Sequence, residues 1–236
     1  MHISIVIPAY NEERRIQKTL EAVVPFLRLK KYEYEILVVD DGSSDRTAEL
    51  VEEFGARSPG IRLLKNGQNL GKGYSVKRGV LSAVGDLIFF TDADLATPIE
   101  ELEAFLAEIR GCDIVIGSRT AEGARIVVRA PVYREVLGRI FRGFVKLCGV
   151  TGFTDTQCGA KLFRKAAAEK IFPLQKLSRF AFDVELLYLA KRCGCSIKEV
   201  PIRWFHSADT SVRTLPDGTK MFFDLIRIKF LHRGLK

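Results

Sequence analysis

Asp92 and Asp94, two carboxylates separated only by Ala93, are the residues of this 236-residue chain best suited to chemistry. Burying two anions side by side without a partner costs on the order of several kcal/mol or forces one of them to take a proton. A divalent cation removes the conflict, because hard cations such as Mg²⁺ and Mn²⁺ accept carboxylate oxygens at roughly 2.1 Å. The pair follows Asp86–Phe90, a run that is apolar after its first residue and reads as a buried strand. Thr97-Pro98-Ile99-Glu100 comes next and reads as a helix start, with Thr as N-cap, Pro at N1 and Glu at N3. An isolated acidic pair of this spacing also serves simply to solvate a strand end, so the surrounding chain has to decide between the two.

The chain before the pair alternates short β-branched runs with amphipathic stretches. Ile3–Ile7, Tyr34–Val39 and Ile61–Lys65 read as strands, with helices over Glu13–Leu29, from Asp45 to about Phe54, and from the glycine-rich loop Asn66–Gly73 to about Ala83. Ser43 and Ser44 are placed to cap the second helix. A helix over Pro98–Arg110 and a strand over Asp113–Gly117 continue the alternation. The pattern predicts an α/β fold: a mostly parallel central sheet with helices on both faces. Ligands in such sheets bind at the carboxyl ends of the strands. Three predicted strand ends are polar: Pro8–Glu12, Asp40-Asp41 and Asp92–Asp94. Acidic groups on one edge suit hydrogen bonds to a base and ribose, plus a cation beneath a diphosphate. Lys72, in the glycine-rich loop, has two readings, a phosphate ligand or part of a helix N-terminus; without G-K-[ST] the loop is not a P-loop.

Thirty-seven cations against 29 anions leave a formal charge of +8, which suits nucleotides, phosphorylated substrates or anionic lipid surfaces. No Lys/Arg block is long enough for a nucleic-acid arm, so a nucleic-acid partner is not expected. The five cysteines lack the second ligand pair of a zinc site and read as reduced, mostly buried thiols of a cytoplasmic protein. Neither a signal peptide nor an 18-residue apolar segment is visible.

After Arg119 the character changes. Thr120–Ala130 reads as a mobile loop. Pro131–Cys148 is strongly amphipathic, with Tyr133, Val136, Leu137, Ile140, Phe141, Phe144, Val145 and Cys148 on one side and Glu135, Arg139, Arg142 and Lys146 opposite. That stripe either faces the core or lies in a membrane interface. Ala181–Lys191 reads as a helix carrying Asp183 and Glu185, Ile197–Ile202 as a strand, and Met221–Leu231 as a helix without a tidy apolar face. A dehalogenase-type phosphatase requires Thr or Val where Ala96 stands, and a dinucleotide-binding fold requires G-x-G-x-x-G where Pro8–Glu12 stands. A non-catalytic receiver module would account for Asp40-Asp41 alone.

The runs VIPAYNEE, VVDDGSSDRT, NLGKGYSVKRGV, DADLATP and GSR, in this order, resemble the inverting glycosyltransferases of family 2, which have the GT-A fold. DTQCGAKLF and RFAFDVELLYLA narrow the resemblance to the dolichyl-phosphate β-glucosyltransferase branch, with dolichyl-phosphate mannosyltransferases as near relatives. The resemblance implies one catalytic domain over residues 1–236, with a nucleotide-sugar half to 119 and an acceptor half from 120. It implies Mg²⁺ or Mn²⁺ on Asp92 and Asp94, the nucleoside held by Pro8, Tyr10, Glu12 and Asp41, and Asp92 touching both nucleotide and metal. Arg119 and Arg134 correspond to arginines that receive phosphate, and Asp155 to an acid near the acceptor; its bland alternative is to cap the turn before Gln157. Two departures stand out: Ala96 where relatives often have Gln, and Ser211-Val212-Arg213 where Ser-Lys is common, so that Arg213 is the substitute cation. The implied reaction is transfer of a hexose to a polyprenyl phosphate by a peripheral, non-spanning enzyme. UDP-glucose is the favoured donor. The alternatives are GDP-mannose as donor, or a soluble polysaccharide or protein as acceptor.

Overall fold

The computed structural model describes residues 1–128, 131–147, 150–206 and 214–234. Seven strands form one sheet: β1 (His2–Ala9), β2 (Glu33–Asp40), β3 (Ile61–Lys65), β4 (Leu87–Phe90), β5 (Ile114–Ser118), β7 (Lys161–Arg164) and β8 (Ile197–Pro201), in the order β3-β2-β1-β4-β7-β5-β8. All neighbours are parallel except at β7, which runs antiparallel to both β4 and β5. The parallel sector was readable from its apolar runs. The reversed strand was not, because four residues, Lys-Leu-Phe-Arg, are too few to show a period.

Alternation along the strands splits the core across the sheet. Ile3, Ile5, Ile7, Ile36, Val38 and Phe89 face α1 (Ile16–Leu29), α2 (Thr47–Arg57) and α4 (Leu102–Glu108). Val6, Leu37, Val39, Ile88 and Phe90 face α3 (Lys72–Leu81), α6 (Lys165–Ile171) and α7 (Phe182–Arg192). A second, two-stranded parallel ribbon pairs β6 (Arg125–Val128) with β9 (Arg203–Phe205). The expected loop at Thr120–Ala130 is therefore corrected: its Arg-Ile-Val-Val segment finds a partner far along the chain.

The expected helix caps are corrected too. Pro98 precedes a 3₁₀ turn over Ile99–Glu101, and no side chain caps it. At α2 the Asp45 carboxylate accepts from the Thr47 amide at 3.0 Å, while Ser43 and Ser44 turn toward Asn11 instead. Of the described cysteines all four are free thiols, but only Cys158 is buried; Cys112, Cys193 and Cys195 are half-buried, and Cys148 lies outside the described residues.

Two helices complete the chain, α5 (Val132–Leu147) and α8 (Thr214–Leu231). Only part of the α5 stripe joins the core: Val145 is buried and Phe141 half-buried, whereas Tyr133, Leu137, Ile140 and Phe144 are exposed. Phe144 meets Phe222 of α8 edge to face at 4.7 Å, and α8 also exposes Phe223, Ile226 and Phe230. Beyond α8, buried His232 lies 2.7 Å from Glu185 of α7, whose carboxylate also accepts the Lys176 and Leu177 amides. Among the described residues no helix is long and apolar enough to cross a membrane.

Candidate active site

The carboxyl ends of β2, β1 and β4 lie side by side, because these three strands are adjacent and parallel. Antiparallel β7 starts at the same edge, which brings residues 155–161 to it. Asp41, Glu12, the acidic pair, Lys72, Asp155 and Arg119 are thereby gathered along one rim.

The acidic pair sits on a bend fixed from several sides. Leu95 has φ of 45°, a left-handed conformation that costs a non-glycine residue about 1–2 kcal/mol. It lets Asp94 Oδ1 accept from the Ala96 amide at 3.0 Å and the Leu95 amide donate to Asp92 O at 3.2 Å. Thr19 of α1 donates to Ala93 O at 2.5 Å, pinning the residue between the two acids. From the other side comes Gly159: a Cβ there would lie 2.1 Å from Asp92 Oδ2, so the Asp92 carboxylate occupies space that any other residue would fill.

Charge is unevenly balanced here. Lys72 Nζ lies 2.6 Å from Asp92 Oδ1, an oxygen that has no aligned hydrogen-bond partner. Burial pushes the Asp94 carboxyl up, and the charge of Asp92 pushes it further. Glu12 is likewise raised, first by burial, then by Asp94 and Asp92, although Arg15 pulls the other way through bonds of 2.6 and 2.9 Å. No third His, Cys, Asp or Glu joins the pair among the described residues. Two carboxylates with surplus negative charge and room for other oxygens fit Mg²⁺ or Mn²⁺, which take one or two protein carboxylates and complete their shell with water and substrate phosphate.

Asp41, expected beside the nucleoside, is tied to the glycine-rich loop in this structure. It is buried, and its carboxylate accepts from the Leu70 amide (3.0 Å), the Gly71 amide (2.8 Å) and Asn66 Nδ2 (2.7 Å). It thus shapes the glycine-rich loop that carries Lys72. Pro8 is buried within β1, opposite Val39, while Tyr10 just beyond the strand is exposed.

Two strand spacings from the acids, about 10 Å across β7, stands a second charged group. Asp155 is buried and grips Arg119 with both oxygens, at 2.6 Å to Nε and 2.9 Å to a terminal nitrogen. Arg119 also stacks over Trp204 at 5.4 Å. Burial works against the Asp155 anion, but Arg119 and the amides of Arg119 and Gln157 more than offset it and hold its carboxyl at about 2. A carboxylate so placed orients an arginine and is a poor proton acceptor. The turn-capping alternative holds as well, since Gln157 N donates to Asp155 Oδ1 at 3.2 Å. Arg134 belongs to α5, but its side chain lies outside the described residues, as does Arg213 altogether.

The model of the family Glycosyl transferase family 2 matches residues 4–172, which span β1 through α6 and hold Glu12, Asp41, Asp92, Asp94 and Asp155. The chain belongs to that family. Among its relatives, a dolichyl-phosphate beta-glucosyltransferase of Trichomonas vaginalis is 39% identical over 99% of this chain and 72% of its own length. Proteins of the same name from Dictyostelium discoideum and Saccharomyces cerevisiae are 38% and 36% identical, over 98% of this chain and 74% and 75% of theirs. Solved structures with the same GT-A fold include mannosyl-3-phosphoglycerate synthase from Rubrobacter xylanophilus, at TM-score 0.70 and 20% identity over 97% of this chain and 72% of that one. Another is glucosyl-3-phosphoglycerate synthase from Mycobacterium tuberculosis in complex with Mn²⁺ and UDP-glucose, at TM-score 0.67 and 20% identity over 100% of this chain and 80% of that one. This family 2 member is accordingly a glycosyltransferase.

Sequence reasoning missed Arg15, Thr19, Gly159 and the buried pair Lys161–Asp183, all of which hold the family 2 site in place. The one available signal was compositional: a lysine opening an apolar strand and an acid inside an apolar helix each need a partner in the core.

Proposed function

We propose that this chain transfers glucose from UDP-glucose to a polyprenyl phosphate such as dolichyl phosphate, with inversion at the sugar. The observation that carries the reading is one rim holding an acidic pair, Lys72 and a braced Arg119 about two strand spacings away. The names of the relatives support the acceptor and the sugar.

Asp92 and Asp94 would hold Mg²⁺ or Mn²⁺, and such a cation, when bound, neutralises the charge that collects on a departing nucleotide diphosphate. Lys72 adds a second positive charge on the same side. Tyr10 and Glu12 border the space for the nucleoside, and Asp41 serves it indirectly by holding the loop. Arg119, fixed in plane by Asp155 and Trp204, would receive the acceptor phosphate. A phosphate monoester is already anionic near neutral pH, so Asp155 is not required as a base; its work is to aim the guanidinium. Fixed charge of this kind is usually the largest catalytic contribution. Residues 1–119 form the donor half and 120–236 the acceptor half of one catalytic domain. The exposed apolar residues of α5 and α8, among Arg139, Arg142, Lys146, Arg227 and Lys229, would lie against the cytoplasmic face of a membrane that holds the acceptor's tail.

The test is a donor panel with a short-chain polyprenyl phosphate and Mg²⁺ or Mn²⁺. Glucose transfer from UDP-glucose is expected. Transfer from GDP-mannose alone, or transfer only to a soluble polysaccharide or protein, overturns the reading. Asp94→Ala should end turnover in a folded protein.

A further inference from the structure

Lys72 has a clamped backbone and a long side chain that reaches Asp92. Its loop is clamped on one side by Asp41, through the Leu70 and Gly71 amides. On the other side it is pressed against residues 177–182. A Cβ at Gly71 would lie 2.4 Å from Ser178 O, one at Gly73 would lie 2.7 Å from Phe182 Cβ, and the Tyr74 amide donates to Ser178 O at 3.1 Å. Only the butyl stem and ammonium of Lys72 can change place. The side chain is a quarter exposed, with its ammonium 2.6 Å from Asp92 Oδ1 and 5.5 Å from the centre of the Phe90 ring.

Other anions nearby are already engaged. Lys161, fully buried, lies 5.7 Å from the same Phe90 ring and is ion-paired to Asp183 as well as donating to Cys158 O. Glu12 is held by Arg15. Asp92 is therefore the one carboxylate to which Lys72 is paired. Two carboxylates and one ammonium leave the corner with a single negative charge; a dication arriving alone reverses it to a single positive one. The ammonium and a dication also compete for the same oxygen.

We propose that Lys72 is a resident counter-cation: it occupies Asp92 in the donor-free enzyme, and passes to the donor's diphosphate when metal and nucleotide enter together. This rests on Asp92 and Asp94 being the metal's carboxylates. Lys72 then couples the two ligands. Metal alone has to evict an ammonium whose other near anions are Asp94, which the metal itself would take, and Asp183, which Lys161 holds, whereas metal with a diphosphate brings a free anion along. The nucleotide and the cation each raise the other's affinity, and by linkage the effect is reciprocal.

The experiment titrates Mn²⁺ into the protein with and without UDP and follows free Mn²⁺ by electron paramagnetic resonance. It compares wild type, Lys72→Met, Lys72→Arg and Asp94→Asn, each checked for folding by circular dichroism. K72M should bind Mn²⁺ alone more tightly than wild type, by about fivefold, the scale set by loss of a partly exposed ion pair. In the presence of UDP it should bind Mn²⁺ more weakly than wild type, and K72R should restore the wild-type pattern. Equal or weaker binding of Mn²⁺ alone by K72M overturns the proposal, as does K72R behaving like K72M, since charge would then not be the cause. If D94N binds Mn²⁺ with UDP as wild type does, the metal is elsewhere and the underlying assignment falls with the proposal. If D94N loses Mn²⁺ while K72M is unaltered, only the proposal falls.

Discussion

Gly159→Ala is the sharpest probe of how the acidic pair is held. The added Cβ would lie 2.1 Å from Asp92 Oδ2, 2.6 Å from Cγ and 3.1 Å from Oδ1. Ordinary contact needs about 3.4 Å or more, so the carboxylate has to retreat by about 1 Å. The atoms in the way are the far end of a two-torsion side chain, not backbone, and Gly159 does not have a positive φ. The fold should therefore yield cheaply, by no more than the roughly 1–3 kcal/mol typical of a tight insertion. The reaction should not. Misplacing a catalytic group by 1 Å costs about 100-fold, and Asp92 would lose both its place beside Lys72 and its registry with Asp94. We expect G159A to melt within about 10 °C of wild type, with kcat/KM for glucose transfer down about 100-fold and Mn²⁺·UDP affinity reduced in parallel. Gly111→Ala, where a Cβ meets nothing within 4 Å, should change neither. If G159A keeps activity within about threefold while folded, the argument that this glycine makes room for Asp92 is wrong.

Acid should loosen the Arg119–Asp155 clamp. The Asp155 carboxyl is held at about 2 against an ordinary 3.8, so its stabilisation is complete above about pH 4 and is lost as pH falls toward 2. This corresponds to ~2 kcal/mol, readable as a difference in urea midpoints between wild type and Asp155→Asn that closes over that interval; a constant difference refutes it. Cys158 is 1% exposed and burial pushes its thiol up to about 11, so iodoacetamide at pH 8 should modify the half-buried Cys112, Cys193 and Cys195 first; mass spectrometry showing Cys158 among the fast sites contradicts the packing. Liposomes containing anionic lipid should carry the protein upward in a flotation gradient, and Leu137→Asp with Ile140→Asp should keep it at the bottom. Flotation unaffected by the double substitution would assign membrane contact to another surface.

The acidic rim at the ends of β1, β2 and β4 was legible because its chemistry coincides with its architecture. Buried parallel strands are short apolar runs, and the acids that end them mark the edge where ligands bind. The Arg119–Asp155 pair was less legible. The spacing of Asp155 and Arg119 along the chain says nothing of their pairing, which exists because β7 turns back between β4 and β5. Direction is a property of the assembled sheet, not of the four residues of the strand. The β6–β9 ribbon was hidden for a related reason: each strand is short, and its partner lies about eighty positions away. Asp41 was recognised by type and place, yet its task depends on loop amides that no pattern of side chains reveals. The α5 stripe was legible as apolar, but its division could not be read from spacing: Val145 is buried while Tyr133, Leu137, Ile140 and Phe144 are exposed.

The reversed strand also bears on how this protein can be cut. Its parallel sectors, β3-β2-β1-β4 and β5-β8, are joined within the sheet by Lys161–Arg164. A fragment stopping at Arg119 would keep Glu12, Asp41, Asp92 and Asp94 and yet leave Leu-Ile-Phe-Phe of β4 as a bare, uncharged sheet edge, the kind of border along which chains stick to one another. A minimal piece carrying the acidic pair therefore has to run at least through Arg164.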